Sequence, residues 1–220
     1  MIENIKIQYL LPLVFVGMED SEKIGSSQIW EEPSYVFRRG CRLCVQSESG
    51  GGKSSLLSFV YGLRTDYKGE ILFDGTDIRT FGIGRWCRLR TEALSLLPQE
   101  MCLFPELTVS QNIALKNNRT RHKTEAQIRE MLERVGLSEK YDTPAGKLSI
   151  GQQQRVAVIR ALCQPFDFIF MDEPVSHLDA RNNRIIAEMV EEEAASRQAG
   201  VISTSVGNPL LLDNAQFIHL

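Results

Sequence analysis

The stretch Ser47-Glu48-Ser49-Gly50-Gly51-Gly52-Lys53-Ser54-Ser55 restricts the fold of this chain more than any other. Tyr35 to Gln46 before it has strand character, with a turn at Arg38-Arg39-Gly40. Ser54 to Leu63 after it carries Leu56, Leu57, Val60 and Leu63 at helical spacing. Strand, glycine-rich loop and helix are the setting of a phosphate-binding loop, G-x-x-x-x-G-K-[ST]. Every position fits except the first glycine, which is Ser47. Glycines let successive backbone N–H groups turn inward around phosphate oxygens, where a side chain would obstruct them. The helix N-terminus adds partial positive charge, Lys53 is placed to reach the terminal phosphates, and the Ser54 hydroxyl to ligate Mg²⁺.

A second signal lies far downstream. Phe168-Ile169-Phe170-Met171 is a continuous apolar run, the pattern of a parallel strand buried on both faces, and it ends in Asp172-Glu173. A carboxylate at the C-terminal end of such a strand faces the crevice where α/β proteins bind ligands. Asp172 is expected to hold Mg²⁺ through its water shell, and Glu173 to polarise an attacking water.

Around these two motifs the chain alternates. Residues 2–16 read as one or two strands, Met18 to Ser34 as a polar, exposed excursion, and Glu70 to Phe73 as a strand stopped by Asp74-Gly75. Thr124 to Leu137 and Ser149 to Leu162 read as amphipathic helices. Strands alternating with helices argue an α/β core. The reading is one domain over 1–220, with the core at about 1–104 and 165–220 and a helical lobe at about 105–164.

Leu148-Ser149-Ile150-Gly151-Gln152, ahead of Asp172, resembles the LSGGQ signature of ATP-binding cassette proteins. Gln99 in Leu96-Leu97-Pro98-Gln99 stands where that family has its Q-loop glutamine. Leu107 to Ile113 resembles the run that opens its helical lobe, and Ser176-His177-Leu178-Asp179 its D-loop. The motifs occur in the family's order, from about residue 35 to the end. The resemblance implies a P-loop NTPase (RecA-like) core with an N-terminal antiparallel β portion and an inserted helical lobe. It implies ATP and Mg²⁺, with Ser54, Gln99 and Asp172 at the metal and Glu173, Gln99 and residue 205 at the reacting phosphate. It also implies an ATP-dependent homodimer in which Ser149, Gly151 and Gln152 contact nucleotide held by the other subunit's loop. The expected partner is a separate membrane permease, with the cassette peripheral on the cytoplasmic face. The short length is similar to lipoprotein-release, macrolide-export and cell-division cassettes. The alternatives are a nucleotide-binding regulatory cassette with little ATPase activity, or a soluble non-transport cassette.

Three positions depart from the family pattern: Ser47 and Ile150 each replace a glycine, and Ser205 follows Thr204 where the family has its switch histidine. A serine hydroxyl donates one neutral hydrogen bond and carries no charge near pH 7. Loss of a preorganised donor at such a site typically costs about 10²–10³ in rate, so ATP binding is expected to survive and hydrolysis to be slow. The adenine-stacking residue stays open among Tyr9, Trp30 and Tyr35.

Composition excludes several other classes. With 25 Lys and Arg against 28 Asp and Glu, the net charge of −3 gives no broad footprint for nucleic acid, and the run Lys116 to Lys123 reads as a solvated loop. Forty-three per cent apolar residues exclude disorder. Cysteines 41, 44, 87, 102 and 163 are an odd number; Cys41 and Cys44 form a CxxC, but no second pair lies near it and thiols three apart on a strand diverge, so they read as buried, reduced thiols in a reducing compartment. Tyr9 to Val16 is too short for a span and lacks a cleavage signal, so the chain is expected to be neither secreted nor membrane-spanning. His177 reads as part of the D-loop, not as a metal ligand.

Overall fold

A computed structural model describes residues 1–18 and 22–220. Two sheets share the work of positioning the glycine-rich loop. Strands β1 (Asn4–Pro12), β2 (Ser34–Arg38), β4 (Tyr67–Phe73) and β5 (Thr76–Asp77) form an antiparallel sheet in the order β2-β1-β4-β5. Strands β3 (Arg42–Gln46), β6 (Leu94–Leu97), β7 (Phe168–Met171), β8 (Gly200–Ser205) and β9 (Gln216–His219) form a parallel sheet in the order β6-β7-β8-β3-β9. The helices are α1 (Glu22–Gly25), α2 (Lys53–Val60), α3 (Ile83–Glu92), α4 (Val109–Thr120), α5 (Glu125–Arg134), α6 (Ile150–Leu162) and α7 (Ala180–Arg197).

The periodicities explain the layers. In β7, Phe168 and Phe170 face the core beneath the antiparallel sheet and α2, while Ile169 and Met171 face the core built with α4–α7. A strand with apolar groups on both faces can only lie inside a sheet covered on both sides. In β1, Ile5 and Ile7 are buried and Asn4, Lys6 and Gln8 are half-exposed, the alternation of a one-sided strand. That strand carries an irregularity between Gln8 and Leu11, where Tyr9 has φ 49°. Gly69 on β4 lies against it: a Cβ there would stand 2.2 Å from the Tyr9 carbonyl oxygen. After Pro12 a 3₁₀ turn over Leu13–Phe15 swings the chain toward the glycine-rich loop.

Helices α4, α5 and α6 start on capping boxes, Thr108 with Gln111, Thr124 with Gln127, and Ser149 with Gln152. Each pair satisfies two backbone N–H groups that the helix cannot. Three of these residues thus announce helix starts in the sequence.

Two expectations need correction. Of the excursion at 18–34, residues 19–21 lie outside the described residues; most of the rest is exposed as expected, but four side chains turn inward. Ile24, Ser27, Ile29 and Trp30 are all at most 6% exposed. The polar composition misled because Ser27 turns inward, its hydroxyl accepting from the Ile29 and Trp30 N–H groups. The run Lys116 to Lys123 is not a solvated loop either. It covers the end of α4 and the link to α5, where Lys123 and His122 both pair with Glu193 on α7, His122 Nε2 at 2.6 Å. Burial, then Arg160 and Arg119, lowers Lys116 to about 8.

The five cysteines are free. Burial pushes the Cys41 thiol up to about 11, raises Cys44, and brings Cys163 to about 12, which makes all three poor nucleophiles and ligands. No helix among the described residues is long and apolar enough to cross a membrane.

Candidate functional site

Strand β3 ends at Gln46, and the chain loops through Ser47 to Gly52 before α2 begins at Lys53. Gly50 and Gly52 have φ 85° and 94°, left-handed values that most residues avoid. Gly52 is the N-cap of α2 and offers no side chain, so the N–H groups of the first turn are left for a ligand. Trp30 packs behind the loop. Its Nε1–H donates to the Gly51 carbonyl at 3.1 Å, and a Cβ on Gly52 would meet its ring at 3.0 Å.

Lys53 is 5% exposed. Its ammonium donates to the Ser47 and Glu48 carbonyls at 2.8 and 3.0 Å and to Ser47 Oγ at 3.3 Å. No carboxylate among the described residues pairs with it. A buried cation held only by neutral oxygens is poised for an anion.

The cleft beside it, about 330 Å³, is lined by Val14, Phe15, Ser49, Gly50, Gly52, Lys53, Ser54, Ser55, Gln99 and Glu173. The structure therefore brings most of the loop, Gln99 and Glu173 together around one space. Ser47, Glu48 and Gly51 form the back of the loop. Asp172 sits below, 6% exposed, accepting a hydrogen bond from Thr204 at 2.6 Å. Ser205, at the end of β8, is 2% exposed and faces a neighbouring cavity of about 190 Å³ that Glu173, Ser176 and Asn208 also line. Among the described residues its Oγ has no hydrogen-bond partner.

Ser149, Gly151 and Gln152 are not part of this cleft. Ser149 Oγ accepts from the Gln152 N–H at 3.4 Å, and Gln152 Oε1 from the Ser149 N–H at 2.9 Å. Gly151 lies against the D-loop, where a Cβ would stand 3.1 Å from the His177 carbonyl oxygen. Ile150 is 55% exposed.

Of the aromatic candidates, Tyr9 and Tyr35 do not line the cleft and Trp30 lies behind the loop. Phe15, which the sequence reading passed over, lines the cleft itself. Its one sequence signal is an apolar Leu13-Val14-Phe15-Val16 just past Pro12, where a strand has to end.

The groups present fit a nucleoside triphosphate: a glycine cradle, a free helix N-terminus and a buried cation without a counter-charge among the described residues. Ser54, Gln99 and Asp172 offer only oxygen donors, the set suited to Mg²⁺.

A parallel sheet with a phosphate cradle at a strand's C-terminal end defines a P-loop nucleotide-binding protein. The comparisons narrow this further. Residues 31–176 match the ABC transporter family. The chain is 31% identical over 201 residues to the ABC transporter ATP-binding protein YtrE of Bacillus subtilis, covering 90% of this chain and 85% of that one. It is 32% identical over 190 residues to the lipoprotein-releasing system ATP-binding protein LolD of Shewanella frigidimarina, covering 85% and 80%. The dimeric structure of MJ0796, a bacterial ABC transporter cassette, superposes with a TM-score of 0.75 at 19% identity, covering 98% of this chain and 94% of that one. The chain belongs to the ABC transporter family, as an ATP-binding cassette: the ATPase subunit of a transporter.

Proposed function

We propose that this cassette binds ATP with its triphosphate in the loop Ser47–Ser55 and Mg²⁺ at Ser54, Gln99 and Asp172, and that two copies close head to tail around it. The observation that carries this reading is Lys53, buried and without a carboxylate partner among the described residues. Phe15 stacks on the adenine, because among the described residues it is the one aromatic ring lining the cleft. Mg²⁺ neutralises phosphate charge when bound. Lys53 offsets charge on the terminal phosphates, the α2 N–H groups orient them, and Glu173 accepts a proton from the attacking water. Ser149, Gly151 and Gln152 complete the site of the partner subunit, which explains why they stand apart from this chain's own cleft. Turnover is slow, since Ser205 supplies no imidazole.

The cassette works at the cytoplasmic face of a membrane through a separate permease. A groove of about 510 Å³ adjoining the Gln99 segment supports a docking site. Leu96, Pro98, Phe104 and Leu115 make it apolar, and Arg90, Lys116, Arg119 and Arg160 line it without any acid, so it suits an apolar permease segment bearing a carboxylate.

ATP with Mg²⁺ should raise the melting temperature of the parent and not of Lys53→Ala. Equal stabilisation of both would refute the loop assignment. Glu173→Gln should be dimeric with ATP and monomeric with ADP by size measurement. A monomer in both would remove the support for the trans role of Ser149 and Gly151.

A further inference from the structure

Glu173 stands in the left-handed region, with φ 48°. A side chain bearing a Cβ is strained in that conformation and keeps it only where its surroundings over-determine it. Two side chains from different elements do so here. On one side, the Glu173 N–H donates to Thr204 Oγ1 at 3.0 Å, and the same hydroxyl donates its proton to Asp172 Oδ1 at 2.6 Å. On the other, the Glu173 carbonyl accepts from Gln154 Nε2 at 3.0 Å.

Neither side chain has latitude. Thr204 lies on β8 and is 0% exposed; Gln154 lies on α6 and is 2% exposed. Gln154 spends its whole carboxamide on the turn after Glu173: Nε2 also donates to Ser176 Oγ at 3.2 Å, and Oε1 accepts from the His177 N–H at 3.0 Å. A buried amide with every group engaged over five consecutive residues is a template for that turn's backbone.

We propose that Gln154 and Thr204 are positioning residues that hold Glu173 in its left-handed conformation and so aim its carboxylate into the nucleotide cleft. The inference rests on the reading of Glu173 as the group that takes the proton from water. Without the two hydrogen bonds the backbone relaxes to a right-handed or extended conformation, which turns the Cα–Cβ bond away from its present direction. Because Gln154 is one turn along the helix that starts at Ser149, the aim of Glu173 depends on how α6 is seated.

Gln154→Leu is the cleaner arm of the test, because it leaves Asp172 and its partner untouched. Thr204→Val removes both hydrogen bonds at constant shape, and Thr204→Ser restores them. Steady-state phosphate release should show kcat falling about ten- to a hundredfold in Gln154→Leu and Thr204→Val, with KM for ATP and the ATP-induced rise in melting temperature nearly unchanged. Thr204→Ser should recover to within about threefold of the parent. In a Glu173→Gln background, Gln154→Leu should cost nothing further, which a merely structural role would not produce. Gln154→Glu keeps the Oε1 contact to His177 and loses the donors, so it should fail like Gln154→Leu even if the latter folds poorly. Parental kcat in Gln154→Leu or Gln154→Glu would overturn the proposal. If Glu173→Gln itself kept parental turnover, the reading of Glu173 would be the part that failed.

Discussion

Replacing Ser205 with histidine asks whether a missing imidazole limits this ATPase. The serine hydroxyl is buried beside Glu173, has no hydrogen-bond partner among the described residues and faces an adjoining cavity. The adjoining cavity of about 190 Å³ is several times the roughly 30 Å³ share of one water, so an imidazole has room without displacing the backbone. Ser205→His should therefore raise kcat about tenfold, equal to about 1.4 kcal/mol of barrier. KM should change little, because the new contact forms mainly in the transition state. Phosphate release by the parent and Ser205→His decides the matter. Unchanged or lower kcat in Ser205→His would reject the claim that the absent histidine is limiting.

Two further outcomes follow from the geometry. Phe15→Ala should weaken ATP binding about tenfold while leaving inorganic triphosphate binding unchanged, since base–aromatic stacking is worth about 1–3 kcal/mol; calorimetry with both ligands checks it. Burial raises the Glu193 carboxyl, but hydrogen bonds from His122 and Lys123 outweigh it and bring the group from 4.5 to about 2. Its contribution, of order 3 kcal/mol, is complete above pH about 4.5 and disappears as pH falls through about 2. The stability gap between parent and Glu193→Gln should close over that window in pH-dependent melts.

The sequence carried the parts of this fold that depend on local physics. The strand before Ser47, the helix after Gly52, the two-faced Phe168–Met171 and the helix start at Ser149 each announce themselves through periodicity or capping. What escaped depends on contacts distant in the chain. Trp30 reaches Gly51, His122 reaches Glu193 and Gln154 reaches Glu173, and no spacing along the chain encodes these meetings. The polar look of Ser26-Ser27-Gln28 hid one buried residue, Ser27, which pairs with neighbouring N–H groups, while the exposed Gln28 ties the segment to His219, its N–H donating to the carbonyl at 2.8 Å.

Ser47 and Gly51 give the departure at the first glycine a physical meaning. Gly51 does not have a positive φ, so its backbone alone would accept alanine. Space forbids it: a Cβ would stand 2.4 Å from Ser47 Oγ and 2.8 Å from Ser47 Cβ, whereas the next obstacle, the Glu48 carbonyl oxygen, is 3.3 Å away. The serine at 47 therefore makes glycine obligatory at 51. Gly51→Ala should lose ATP-induced stabilisation by distorting the carbonyls that hold Lys53. Ser47→Gly alone should lose little, because Lys53 keeps both carbonyl contacts at 2.8 and 3.0 Å. The double variant Ser47→Gly/Gly51→Ala should bind ATP better than Gly51→Ala, with a coupling of about 1 kcal/mol or more in the double-mutant cycle. Dissociation constants for the four proteins measure it. Additivity within about 0.5 kcal/mol would mean that alanine at 51 fails for some reason other than the serine, and that Ser47 imposes nothing on the loop.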